Sequence, residues 1–166
     1  MTNYRFLPFF LCLILILSFS NTASYASTKK DVKNFYIKTV HVDGKANVNG
    51  DDRHSPEKFP DTNVPEGGGI QLSKPNTYGA WRVRTFTFMP SQMIVFKGDK
   101  VRLHFIGVQG MSHPIHVEGE MVDEKFTVKR GQIKTIEFVA SKAGQVEIEC
   151  YKHLPSMTAH VLILDK

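Results

Sequence analysis

From Trp81 to Leu164 the sequence is a succession of short strand signals set off by turns, and that spacing leaves room for essentially one class of fold. The segments are 81–88 "WRVRTFTF", 93–96 "MIVF", 100–108 "KVRLHFIGV", 113–117 "HPIHV", 126–129 "FTVK", 133–139 "IKTIEFV", 144–150 "GQVEIEC" and 158–164 "TAHVLIL". They are rich in β-branched and aromatic residues, and "KGDK", "KRGQ" and "SKAGQ" separate them with glycine-bearing turns. No segment sustains an apolar period of 3.6, so the expectation is an all-β sandwich or barrel. A further strand is expected at 34–42, "NFYIKTVHV". From Lys45 to Ala80 the character changes: five Gly, four Pro and seven Asp or Asn with no period, which reads as a long irregular arm. "NVNGDD" at 48–52 suggests a calcium loop, but taking Gly50 as the turn glycine puts Lys45 and Pro56 where carboxylates are required.

The chain begins "MTNYR", with Arg5 followed by an apolar run from Phe6 to Phe19 and a short polar, small-residue tail. That layout is a secretory signal peptide, expected to be cut after Ala26. The run is too short for the roughly 20 residues of a membrane-spanning helix. Cys12 lacks the small residues before it that a lipoprotein site requires, so it leaves with the leader. The expected organisation is therefore 1–26 leader, 27–80 N-terminal strand and arm, and 81–166 a single β domain in an exported, periplasmic protein with no stable membrane span. Loss of Arg5 lowers the formal charge from +5 to +4. This mild excess favours an acidic partner and is far too weak, with no aromatic residues interleaved, for nucleic acid.

Export brings cysteines into a compartment where they pair, yet Cys150 has no partner left in the mature chain. In "QVEIEC", Val146, Ile148 and Cys150 alternate with Gln145, Glu147 and Glu149, so Cys150 points inward from the end of a half-buried strand. The following turn, "YKHLPSM", presents His153 and Met157, so a thiolate, an imidazole and a thioether can converge. Two His, one Cys and a weak axial Met is the set that suits copper in electron-transfer sites. "SHPIHVEGE" offers His113 and His116 for the second imidazole. They are an odd step apart and lie on opposite faces of a strand, and His113 shares parity with the apolar Ile115 and Val117. His113 is therefore the inward residue. Structural zinc on His113, His116, Cys150 and His153 competes on ligand type, but parity opposes it and leaves Met157 idle. A buried inert thiol is the commonest fate of a free Cys, and the companions around Cys150 are what weigh against it here. His41, His54, His104 and His160 read as surface or strand residues without a role, and the Phe and Tyr content as core packing.

The stretch from Trp81 to Lys166 resembles the cupredoxins, the small blue copper proteins. The resemblance is carried by "MPSQMIVFKGDKVRLHF", His113 in an H-x-I-x-V context, and Cys150, His153 and Met157 before a final strand. It implies a Greek-key β-barrel and one type 1 copper, cycling between Cu(I) and Cu(II), on equatorial His113, Cys150 and His153 and axial Met157. Two features depart from the family. Pro114 stands where Asn commonly gives a backbone N–H to the sulfur, and the C-x2-H-x3-M spacing falls between those of different subgroups. "HPIHVEG" also resembles a multicopper oxidase stretch, but the chain has no H-x-H pair for a trinuclear cluster, and a lone Cys excludes the binuclear site of terminal oxidases.

What the resemblance implies is an electron carrier rather than an enzyme, passing single electrons between redox proteins such as a cytochrome or a copper oxidoreductase. His153 beside Leu154 and Pro155 is the expected exit, with Lys152 attracting an acidic partner. Two other classes stay open. One is copper trafficking or storage, in which a soft site binds Cu(I) for delivery and the stretch from His41 to His54 assists. The other is a catalytic or sensing site like nitrosocyanin, for which Glu118, Glu120 or an arm residue would have to reach the metal.

Overall fold

Alternation of buried, apolar side chains with more exposed ones, clearest over Gln92–Phe96, Lys100–Gly107, Gly144–Cys150 and Thr158–Leu164, builds the sandwich. The computed structural model describes residues 32–46, 57–60 and 62–165. Among them the strands are β1 (Val32–Ala46), β2 (Ile70–Ser73), β3 (Trp81–Met89), β4 (Gln92–Phe96), β5 (Lys100–Gly107), β6 (Ser112–Gly119), β7 (Val122–Lys129), β8 (Ile133–Val139), β9 (Gly144–Cys150) and β10 (Thr158–Leu164). In β5, Val101, Leu103 and Phe105 are buried while Arg102 and His104 alternate with them toward solvent; β9 does the same with Val146, Ile148 and Cys150. Each strand thus carries one apolar face, and two such sheets must cover one another.

One sheet has the order β2-β3-β1-β5-β8 and the other β4-β10-β9-β6-β7. Between them lies a single apolar cluster, with Ile37, Phe88, Leu103, Phe105, Ile115, Ile148, Met157 and Ile163 among its largest fully buried side chains. The fold class expected from the sequence is present: all-β, two packed sheets, and no helix among the described residues. The expected strands are all found, with ends shifted by a few residues.

The arm is where the structure corrects the sequence. Lys45 and Ala46 belong to β1, and Ile70–Ser73 forms an edge strand whose register, Ile70↔Thr85 to Ser73↔Arg82, is set by β3. Four residues of alternation give no local signal; the strand exists because β3 supplies an edge. Nor is the 80/81 boundary a seam in the sandwich. β1 lies inside the first sheet, parallel to β5 from Val32↔Lys100 to Thr39↔Gly107 and antiparallel to β3 from Lys38↔Met89 to Ala46↔Trp81. The expected leader, the "NVNGDD" stretch and His54 lie outside the described residues.

Candidate metal centre

Each residue of the cluster is placed by strand geometry. β6 and β9 are antiparallel neighbours with Ile115 opposite Cys150, so His113, two residues before Ile115 and on the same face, reaches past the end of β9 to the sulfur. His113 and Cys150 are both fully buried. His153 enters from the β9–β10 turn, which is closed by His153 N–H to the Cys150 carbonyl at 2.9 Å, Met157 N–H to the His153 carbonyl at 3.0 Å and Cys150 N–H to the Met157 carbonyl at 3.0 Å. The Cys150 Sγ lies 3.7 Å from His113 Nδ1 and 3.4 Å from His153 Nδ1. The three ligand-type atoms all fall within 4.8 Å of one another. Met157 is fastened to this turn by its main chain, and its side chain is fully buried in the core cluster.

Residues that local reading passes over hold these groups in place. His113 Nε2–H donates to the Gln109 carbonyl at 2.7 Å, which leaves Nδ1 as the free lone pair facing the sulfur. Gln109 is bolted to β1: its amide N–H donates to the Thr39 carbonyl at 2.9 Å, its carbonyl accepts from Thr39 Oγ1 at 3.2 Å, and its side-chain oxygen accepts the His41 N–H at 2.8 Å. Gly110, at φ +81°, lies so close that a Cβ there would overlap His113 Nε2. The Phe86 ring stacks on His153 with centroids 3.8 Å apart and planes 11° apart, and His41 meets the same ring edge-on at 5.6 Å. From sequence His41 reads as a roleless histidine and Phe86 as core filler. Phe86 is in the core as read, and both residues also support the cluster: the β1–β3 register opposes His41 to Phe86, and the facing of the two sheets brings Phe86 to His153.

Electrostatics follow from burial. Burial pushes the Cys150 thiol up, and the backbone N–H groups of Lys152 and His153 partly offset this. His113 is lowered, first by burial and then by the Lys152 charge, against the raising effect of its bond to Gln109. His153 falls to about 4, by burial first and then by His113 and Lys152. Without a metal the trio is therefore a neutral thiol beside two neutral imidazoles, each with Nδ1 toward the sulfur. That donor set, soft sulfur and imidazole against apolar walls, fits copper. A four-coordinate zinc site would need a fourth His, Cys, Asp or Glu, and none joins the trio among the described residues.

His116 does turn to the other face, as parity requires, but it is not on the surface. It is 8% exposed, accepts the Tyr151 hydroxyl at 2.6 Å on Nδ1, and donates to Asp123 at 2.7 Å from Nε2. Glu118 contacts this same ring at 3.4 Å and Glu120 pairs with Lys142 at 2.8 Å, so neither turns to the cluster. His104 stacks on Tyr36 and His160 lies 3.7 Å from Glu147, both away from the cluster.

No protein-family model matches the sequence, and no curated protein sequence matches it. Solved structures do. A crystal structure of a multicopper oxidase is similar at 17% identity over 81% of this chain and 43% of that one, with a TM-score of 0.50. The multicopper oxidase mgLAC is similar at 14% identity over 82% and 40%, with a TM-score of 0.47. A reduced, Cu(I) form of an amicyanin variant is similar at 23% identity over 47% and 73%, with a TM-score of 0.37. The chain spans about two fifths of the length of the two oxidases. At these identities the likeness is one of fold: the sandwich is cupredoxin-like. Among the described residues no helix is long and apolar enough to cross a membrane.

Proposed function

We propose that this chain is an exported, mononuclear type 1 copper protein that carries single electrons between redox partners and is not itself an enzyme. The observation that carries the reading is the buried trio, with the Nδ1 atoms of His113 and His153 at 3.7 and 3.4 Å from one fully buried sulfur. Bound there, one copper would supply a Cu(I)/Cu(II) couple. The protein's part is to keep three donors in one arrangement through both oxidation states. His113 is fixed by Gln109, which is fixed in turn by Thr39 and His41; His153 lies flat on Phe86; Cys150 ends a strand paired on both sides. Donors that barely move keep reorganisation small, which is what fast transfer needs. Met157, whose main chain is tied to both Cys150 and His153 and whose side chain is buried, would be the fourth, weaker donor.

The part-exposed His153 is the exit for the electron, and Lys152 beside it favours an acidic redox protein as partner. The positions of Glu118 and Glu120, occupied by His116 and Lys142, weigh against a site completed by either carboxylate. Loading the purified protein with Cu(II) tests the reading. An intense thiolate-to-copper visible band with narrow hyperfine splitting in electron paramagnetic resonance is expected, lost in Cys150→Ala. A colourless, redox-inert Cu(I) complex would refute electron transfer and point to trafficking.

A further inference from the structure

Three consecutive glycines of the arm, Gly67, Gly68 and Gly69, lie against the turn that carries His153. Gly68 forms a parallel bridge to Leu154, and Gly69 N–H donates to the Leu154 carbonyl at 3.0 Å. On its other side Gly69 accepts the Phe86 N–H at 2.8 Å, while Ser156 Oγ donates to the Phe86 carbonyl at 2.8 Å. Phe86 is the ring stacked on His153. The segment, the stacked ring and the turn thus close a circuit: Gly69 to Leu154, along the turn to His153, across the stack to Phe86, and back to Gly69 by a hydrogen bond.

Each glycine is needed for the approach. A Cβ on Gly69 would overlap the His153 carbonyl oxygen, one on Gly67 would overlap the Leu154 carbonyl oxygen, and one on Gly68 would stand 3.0 Å from the Lys152 carbonyl oxygen. Gly67 and Gly68 also have φ of +116° and +80°. Glycine costs conformational entropy on folding, and three in a row make sense where backbone must meet backbone. The turn's own hydrogen bonds use the carbonyls of Cys150, His153 and Met157; the Leu154 carbonyl is satisfied by Gly69.

We infer that Gly67–Gly69 is a clasp: a positioning element that holds the 151–157 turn shut over Cys150 and keeps the His153 ring on Phe86. For its copper consequence the inference rests on the function proposed above, but the clasp itself acts on the metal-free chain as well. It gives part of the irregular arm a task, which is to fix the turn side of the donor set from outside the turn.

The test labels Cys150 in the full-length, metal-free protein with a thiol reagent, in wild type, Gly69→Ala, Gly68→Ala and Gly131→Ala. Gly131 has φ +79° with nothing within 4 Å of an added Cβ, so it carries the same backbone strain without the added Cβ meeting any atom of the turn. Loss of the Gly69 bond alone is worth about fivefold in local opening, and the overlap adds to it, so Gly69→Ala is expected to label at least about tenfold faster than wild type. Gly68→Ala should label about three- to fivefold faster than Gly131→Ala, and it decides the matter if Gly69→Ala does not fold. The increase should persist unchanged in low urea, the mark of local opening, whereas glycines that merely stabilise the whole fold would give rates that rise with urea. Wild-type labelling rates in the folded clasp variants, or rates that track global stability, overturn the clasp. Copper loading of the same proteins keeps the two ideas apart: a wild type that gives no thiolate-to-copper band sinks the electron-carrier reading and leaves the labelling result standing. A wild-type band broadened or shifted in Gly69→Ala and not in Gly131→Ala shows the clasp acting on His153.

Discussion

Replacing Pro114 with Asn restores a backbone N–H in a strand that lacks one, and the structure says where it would point. Within a strand a residue's N–H and C=O point to the same side; the Pro114 carbonyl accepts the Tyr151 N–H at 3.2 Å, so the N–H introduced by Pro114→Asn would face the end of β9, where Cys150 sits. A hydrogen bond to a charged acceptor is worth about 1.5–3 kcal/mol. Only the part that differs between oxidation states moves the potential. The sulfur carries more charge when the metal is reduced, so a new donor favours Cu(I) and raises the potential. Lys152 and His153 already bring N–H groups to this sulfur, so a third donor adds toward the low end. A differential of about 0.5–1.5 kcal/mol, at about 1.4 kcal/mol per 59 mV for one electron, gives an increase of about 20–60 mV. Voltammetry of the copper-loaded wild type and Pro114→Asn at one pH reads this directly, with matched thermal midpoints to show that the strand is intact. A potential that is unchanged or lower would mean that the new N–H bonds the Tyr151 carbonyl instead of the sulfur, and the reasoning would be wrong.

Three further outcomes are expected. Because burial keeps the Cys150 thiol protonated and both histidines neutral at about pH 7.5, metal binding should release about one proton per chain, and none in Cys150→Ala. Calorimetry in buffers of different ionisation enthalpy counts it; two protons, or none, would refute the assigned states. The metal-free protein should lose stability as pH falls. The folded-state pKa of His153 is about 4, against about 6.5 when unfolded, so between those values the unfolded chain binds the extra proton and stability declines as pH drops; His113, also lowered, adds in the same direction. The slope should stay below the limit of about 1.4 kcal/mol per pH unit per histidine, since His153 is partly solvated, and urea midpoints at about pH 7 and pH 5 that coincide would contradict it. Finally, Met157→Leu conserves core volume and should cost less than about 1.5 kcal/mol in stability, while a ligating Met157 requires a changed copper spectrum and a shifted potential. An unaltered spectrum would reduce Met157 to core filling.

The clustering of His113, Cys150 and His153 is legible because its geometry is local. Parity along "QVEIEC" turns Cys150 inward, parity along "HPIHV" selects His113 over His116, and a short turn brings His153 back; each inference needs only a period of two and a short loop. What the sequence conceals is all long-range. Gln109 holds His113 only because β1 runs parallel to β5 and offers Thr39 and His41. Phe86 stacks on His153 only because the two sheets face one another, and β2 takes its register from β3, a strand that comes after it in the chain. His116 is on the face that parity gives it but is buried there, since nothing local says that Tyr151 would fold over it.

That division has a physical consequence for how such a site is built. The 151–157 turn can carry ligands, but its own backbone bonds do not fix a ring that is partly in water. The restraint on His153 comes from Phe86 on β3 and from Gly67–Gly69, and that on His113 from Gln109 anchored to β1; all of it is supplied from the side of the first sheet, whereas Cys150 and His113 themselves lie in the second. The donors and their supports therefore meet only when the sandwich closes. Loosening the packing between the sheets should disturb the donor set before it disturbs either sheet, so a core truncation such as Phe88→Ala, whose ring is fully buried between them, should weaken metal retention at denaturant concentrations where strand content by circular dichroism is still native. Metal loss and strand loss that coincide across the whole transition would show instead that the site is held by its own turn.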